Sequence, residues 1–191
     1  MIISVIAEPR SGSTNLAIWF SHMLNFTVFF EPTNSTISGN SRFTNVLPDK
    51  WEYNTEHLFV KEIYTKDNAI QKKLIEISDK VIVLYREDKQ SQFESWRHAV
   101  LTNRWDEPWL YKQIVPTIQA QNMYNSFLDL MDSMKTEYID NDSYFKISYE
   151  ELYYNNGIQR LLDHINLSNV ENIEFPYGTK YRVDAKIDKL I

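Results

Sequence analysis

Apolar residues gather in five short runs, at 2–7 (IISVIA), 26–30 (FTVFF), 57–61 (HLFVK), 80–85 (KVIVLY) and 143–148 (SYFKIS). Runs of this length, bounded by polar segments, read as buried strands. Between them the apolar spacing changes to a helical one. Leu16, Trp19, Phe20, Met23 and Leu24 recur at i, i+3, i+4, i+7 and i+8 and predict a helix directly behind the first strand. Asp67 is placed to cap a second helix carrying Ile70, Leu74 and Ile77. Phe93, Trp96 and Val100 mark a third helix, and Met123, Phe127, Leu130, Met131 and Met134 a long fourth. A fifth is capped by Asn155 or Asn156 and turns Ile158, Leu161, Leu162 and Ile165 inward. Strands alternating with helices predict an α/β fold, with a mainly parallel five-stranded sheet covered on both faces. Residues 33–56 are polar and aperiodic and predict a long functional loop. Residues 168–191 also lack a core pattern and are expected to wrap the surface or cover a site. Nothing repeats and no long linker intervenes, so residues 1–191 are expected to form one domain.

Composition narrows the function classes. Of the 191 residues 43% are hydrophobic and 14% aromatic, enough for a proper core. The absence of cysteine removes disulfides, thiolate metal sites and cysteine nucleophiles. His22, His57, His98 and His164 are scattered, and none pairs with another at metal-ligand spacing. A net charge of −6 argues against a nucleic-acid binder, so any polyanionic ligand must be held by a few placed cations. No apolar run approaches the roughly 20 residues of a membrane span. The opening MIISVIAEPR reads as a strand and not as a signal peptide, so a cytoplasmic chain without a membrane partner is expected, with a homodimer left open.

The turn after the first strand carries the first candidate chemistry. In VIAEPRSGSTNLAIWF a strand runs through Arg10, Ser11, Gly12, Ser13 and Thr14 into a helix, in a chain with only four glycines. Such a loop gathers backbone N–H groups at a helix N-terminus, where they attract phosphate or sulfate. Ser11, Ser13 and Thr14 add hydroxyl donors. A plain strand–helix turn with Ser13 or Thr14 as N-cap is the alternative. Against the nucleotide-triphosphate loop G-x-x-x-x-G-K-(S/T), Ala7 replaces the first glycine and Ser13 the lysine, which disfavours a Mg-dependent NTPase. The cation stands at Arg10 instead.

PRSGST after a first strand resembles the 5′-phosphosulfate loop of sulfotransferases, P-(K/R)-(S/T)-G-(S/T)-T. The segment VIVLYREDKQSQFESWRHAVLTNRW (81–105) strengthens the resemblance. Members of that family place an arginine at a strand end and a serine further into the next helix, and together these clamp the 3′-phosphate of 3′-phosphoadenylyl sulfate (PAPS). Here the pair falls on Arg86 and Ser95, nine positions apart. That spacing, with R-x-D-K-x-x-Q and later Ala, Thr and Trp, resembles the trehalose sulfotransferase branch, on Arg86, Asp88, Lys89, Gln92, Ser95, Ala99, Thr102 and Trp105. At about 100° per residue, Ser95 lies opposite the Phe93, Trp96 and Val100 stripe. That position suits a ligand contact or a solvated serine. Arg86 suits bidentate phosphate binding or a salt bridge to Glu87 or Asp88.

The resemblance extends to a proton acceptor. FFEPTN puts Glu31 before a proline, as carbohydrate sulfotransferases do, and implies a base for the acceptor hydroxyl. Its alternative is a strand-end carboxylate capping the loop. His57 is the rival base, weaker because it starts a strand. Lys61, read as closing the third strand, matches a lysine of the same branch, or is solvated. Trp105, Trp109 and Tyr111 are candidates to stack on sugar or adenine, or to form satellite core. KISYEELYYNNGIQRLLDHINL (146–167) matches the family's terminal strand–helix, with Tyr149 and Leu152 packing and Glu150 anchoring backbone. Lys180 and Arg182 fall where the family closes a basic loop over the 3′-phosphate. The resemblance therefore implies a three-layer P-loop-like fold and sulfuryl transfer from PAPS to a hydroxyl of a carbohydrate or small alcohol, without a metal. A nucleoside-kinase-like phosphotransferase and a non-catalytic nucleotide- or glycan-binding domain are the rival readings.

Overall fold

The computed structural model describes residues 1–31, 57–66, 68–102, 117–155 and 157–168. Asp67, Asn156, Trp105, Trp109, Tyr111, Lys180 and Arg182, the loop at 33–56 and residues 169–191 lie outside that set. The described chain runs β1 (Ile2–Ala7), α1 (Ser13–Leu24), β2 (Thr27–Phe30), β3 (Leu58–Ile63), α2 (Ala69–Ile77), β4 (Lys80–Tyr85) and α3 (Lys89–Thr102). It continues through α4 (Thr117–Met134), a π-helical turn (Lys135–Ile139), β5 (Phe145–Ser148), α5 (Tyr149–Tyr154) and α6 (Gly157–His164).

All five strands pair in parallel, in the order β2-β3-β1-β4-β5. Alternation along the strands builds a separate core on each face. Ile3, Val5 and Ala7 of β1, with Phe59, Ile82, Leu84 and Ile147, pack against Leu16, Trp19 and Phe20 of α1 and Leu152, Leu161 and Leu162 of α5 and α6. On the opposite face Ile6 and Val83 meet Met134 and Tyr138, while Val60 and Phe29 meet Leu74 of α2. The result is an α/β fold of three layers with a P-loop-like arrangement. Among the described residues no helix is long and apolar enough to cross a membrane.

Two apolar stripes sit differently from the periodicity. Ile77 is 44% exposed at the end of α2, and Val100 is 43% exposed on α3. The buried residues of α3 are Gln92, Phe93, His98 and Ala99. Only Phe93 and the partly buried Trp96 join Phe127 and Met131 of α4 in a small satellite core.

What positions the site is the strand order. β1 is central, with β3 on one side and β4 on the other. The connections leaving the carboxyl ends of β1 and its neighbours diverge there, which opens a crevice at that edge of a parallel sheet.

Candidate anion-binding site

The loop from β1 to α1 is shaped by its own backbone. Glu8 N–H donates to Leu84 O (3.0 Å), carrying the β1–β4 pairing one residue past the strand. Ser11 then folds back on Glu8, its N–H (3.3 Å) and its hydroxyl (2.7 Å) both donating to Glu8 O. Arg10 and Gly12 adopt left-handed backbone angles, with φ of 63° and 82°. For Arg10 such a conformation costs about 1–2 kcal/mol, which the surrounding bonds must offset. Gly12 itself is the N-cap of α1, and no side chain caps the helix there. The alternative of a cap by Ser13 or Thr14 is not what forms: Ser13 is the first helical residue and buried, and Thr14 is exposed. A helix start without a side-chain cap leaves its first-turn N–H groups directed outward, which suits an anion.

Gly12 is also a close-approach glycine. A β-carbon added there would lie 2.9 Å from Cδ2 of Tyr149 and 3.0 Å from Cε2 of Tyr153. Tyr153 fixes the turn further by donating its hydroxyl hydrogen to Gly12 O (2.8 Å). The first turn of the fold is thus braced by α5.

Arg86 follows β4 and reaches the same turn. Its Nη1 lies 3.5 Å from Arg10 O, and its guanidinium sits 4.8 Å above the Tyr149 ring. Burial, then the hydrogen bond with Tyr154, pushes the Tyr149 hydroxyl up from its ordinary value, so the platform under Arg86 is a neutral phenol. The carboxylate partner of Arg86 is Glu150, 3.7 Å from Nε, and not the expected Glu87 or Asp88. Glu150 also accepts the amide hydrogens of Glu87 (2.9 Å) and Asp88 (3.2 Å), the backbone anchor its position in the sequence predicts. Arg86 Nε is buried without a hydrogen-bond acceptor and faces the Glu150 carboxylate only as an ion pair. Asp88 accepts from Ser91 N–H (3.0 Å) at the start of α3, and the hydrogen bonds of Ser91 hold its carboxyl below the usual range.

Ser95 belongs to this cluster. Arg10 Nε donates to Ser95 Oγ (2.8 Å), and one turn earlier Gln92 Nε2 donates to Pro9 O (2.9 Å). Gln92 and Ser95 of α3 therefore face the β1–α1 loop, while Val100 turns to solvent. The two candidate motifs, Arg10 with Gly12 and Arg86 with Ser95, are thus brought together through Arg10, which contacts both Ser95 and Arg86.

Glu8 is the residue the sequence reading missed. It is fully buried, and its carboxylate receives four hydrogen bonds from three residues. Arg86 N–H donates to Oε2 (2.8 Å), Lys89 Nζ to both oxygens (2.6 Å each) and Gln92 Nε2 to Oε2 (3.0 Å). The available signal was Lys89 and Gln92 at i, i+3 on the helix behind Arg86, read only as markers of resemblance.

Glu31 and Lys61 form a second cluster one strand over. Lys61 lies inside β3, which runs on to Ile63, so it does not close the strand as expected. Its ammonium is buried and ion-paired with the Glu31 carboxylate, which removes the solvated alternative. Glu31 N–H donates to Lys61 O (2.6 Å), and Glu31 has φ 48°. Backbone and side chain together hold it at the carboxyl end of β2. His57 precedes β3 at the opposite edge, stacked on Phe26 with ring centroids 5.2 Å apart. A hollow of about 580 Å³ between α3 and α4, lined in part by Trp96, Leu101 and Met123, contains none of these site residues. No group of three or more metal-ligating side chains occurs among the described residues.

Compared with known protein families and with curated proteins, the chain matches none.

Proposed function

We propose that this chain is a sulfotransferase that moves a sulfuryl group from PAPS to a hydroxyl of a carbohydrate or small alcohol. The supporting observation is the convergence of Arg86, Arg10 and Ser95 on the Gly12 turn, at the crevice where the strand order reverses. Two anionic groups of one nucleotide need two kinds of donor at fixed separation, and main-chain amides with a guanidinium fork supply them.

In this reading the amides of residues 12–14 hold the 5′-phosphosulfate, Ser11 being turned inward onto the Glu8 carbonyl, and Arg86 with Ser95 binds the 3′-phosphate. The acceptor oxygen forms a bond to sulfur as the bond from sulfur to the bridging oxygen breaks. Arg10 offsets the charge that grows on that bridging oxygen. Glu31 takes the acceptor's proton, and Lys61 holds Glu31 in place through the ion pair. The cations and amides fill the electrostatic role that Mg²⁺ has in kinases.

Calorimetry with adenosine 3′,5′-bisphosphate and with ATP·Mg, followed by labelled-sulfate transfer over a panel of sugars and alcohols, tests the reading. The expected result is bisphosphate binding without metal, weaker binding of ATP, and transfer to at least one hydroxyl. Preference for ATP·Mg would replace it with a phosphotransferase, and tight bisphosphate binding without transfer to any acceptor with a binding domain.

A further inference from the structure

We propose that Glu8 is a positioning residue of the anion site, and this rests on the reading above. A buried carboxylate is an unexpected neighbour for a nucleotide's anions, because Coulomb repulsion alone would weaken their binding. Its hydrogen bonds explain its presence. The backbone carbonyl of Glu8 receives both donors of Ser11 and so sets the turn that leads to Gly12. Its carboxylate receives the Arg86 amide, the Lys89 ammonium and the Gln92 amide, and so fastens the end of β4 and the first turn of α3 to that same loop. One residue thus sets the separation between the main-chain donors and the Arg86 fork.

Charge balance agrees with this role. Lys89 contacts both carboxylate oxygens at 2.6 Å, so the pair is close to neutral as seen from the crevice. Serine or threonine at position 8 would be too short to receive three donors from two segments. A carboxylate's two oxygens accept all of them.

The test exploits an opposition of sign. Glu8→Gln keeps the size but removes one negative charge and one acceptor oxygen. If Glu8 were only a nearby charge, its removal would tighten adenosine 3′,5′-bisphosphate. As a positioning residue, Glu8→Gln weakens it by about tenfold or more despite the more positive site. Gln92→Leu, which changes no charge, weakens binding several-fold for the same reason and serves if Glu8→Gln does not fold. Hydrogen exchange supplies a readout independent of ligand: the amides of residues 10–14 and 86–89 exchange faster in either variant while those of β1 and β3 do not. Unchanged or tighter bisphosphate binding in the folded variants overturns the inference. Should the unmodified protein bind no bisphosphate, the functional reading fails, and the exchange data alone decide: unchanged protection of residues 10–14 overturns the positioning role as well.

Discussion

Arg86 and Glu31 make opposite demands on an experiment, because in the proposed reading one holds the nucleotide and the other moves a proton. Arg86→Ala leaves the backbone bond from residue 86 to Glu8 intact and removes only the fork. Bisphosphate affinity should fall by about 2–3 kcal/mol, the worth of a charge-assisted contact, or roughly 30- to 150-fold by calorimetry. Glu31→Gln should leave that affinity within about twofold and lower turnover by about 10²-fold or more, the scale of general-base catalysis. Unaltered turnover would remove Glu31 from the proposed chemistry. Arg10 and Gly12 were legible because an arginine, a glycine and hydroxyls in a turn between a strand and a helix are an anion-binding pattern, whereas Arg86 and Ser95 were picked out by the resemblance to sulfotransferases. Glu8 was not, since an acid after an apolar strand is ordinarily a solvated end. Only the fold buries it under α3.

At the scale of elements, α5 shows how a short helix holds a site. It begins immediately after β5, and Ser148 caps it by accepting the Glu151 N–H hydrogen (3.0 Å). Its first two residues are Tyr149 and Glu150, the platform and the carboxylate of Arg86. Ser148→Ala should cost about 1 kcal/mol of stability, seen as a melting point lower by roughly 2–4 °C. It should also loosen bisphosphate binding, by less than Arg86→Ala does. The strands and most helices were readable from periodicity, because each buries an apolar face against the sheet. The setting of α3 was not. Its Gln92 and Ser95 turn toward the loop because polar partners wait there, and hydrophobic spacing carries no record of such partners. The π-helical turn at Lys135–Ile139 was not read from the spacing either. It carries Tyr138, whose ring lies 5.7 Å from Tyr64 and 5.5 Å from Tyr144.

The whole molecule responds to pH through His164. Its ring stacks on Phe145 with centroids 4.2 Å apart, and Nε2 is buried without a partner. Burial first, then the nearby Lys80 and Arg160 cations, pushes its pKa below the ordinary 6.5. The unfolded chain therefore binds a proton that the folded chain refuses. Stability is intact above pH 6.5 and falls as pH drops below that value, until the folded pKa is passed. Denaturant melts should show this slope down to about pH 5, where carboxylates begin to titrate. His164→Phe should flatten it, and an unchanged slope would assign it to another group.

The hydroxyl of Tyr153 and the carbonyl of Gly12 meet across 141 positions of chain. During synthesis the glycine turn emerges early and meets α3 next, yet the tyrosines that brace Gly12 arrive only with the helix after the fifth strand. A nascent chain stopped before that point would display the glycine turn without its tyrosine brace. In the proposed reading bisphosphate binding therefore awaits the end of folding, and a fragment cut ahead of β5 should bind none however much of its sheet has formed.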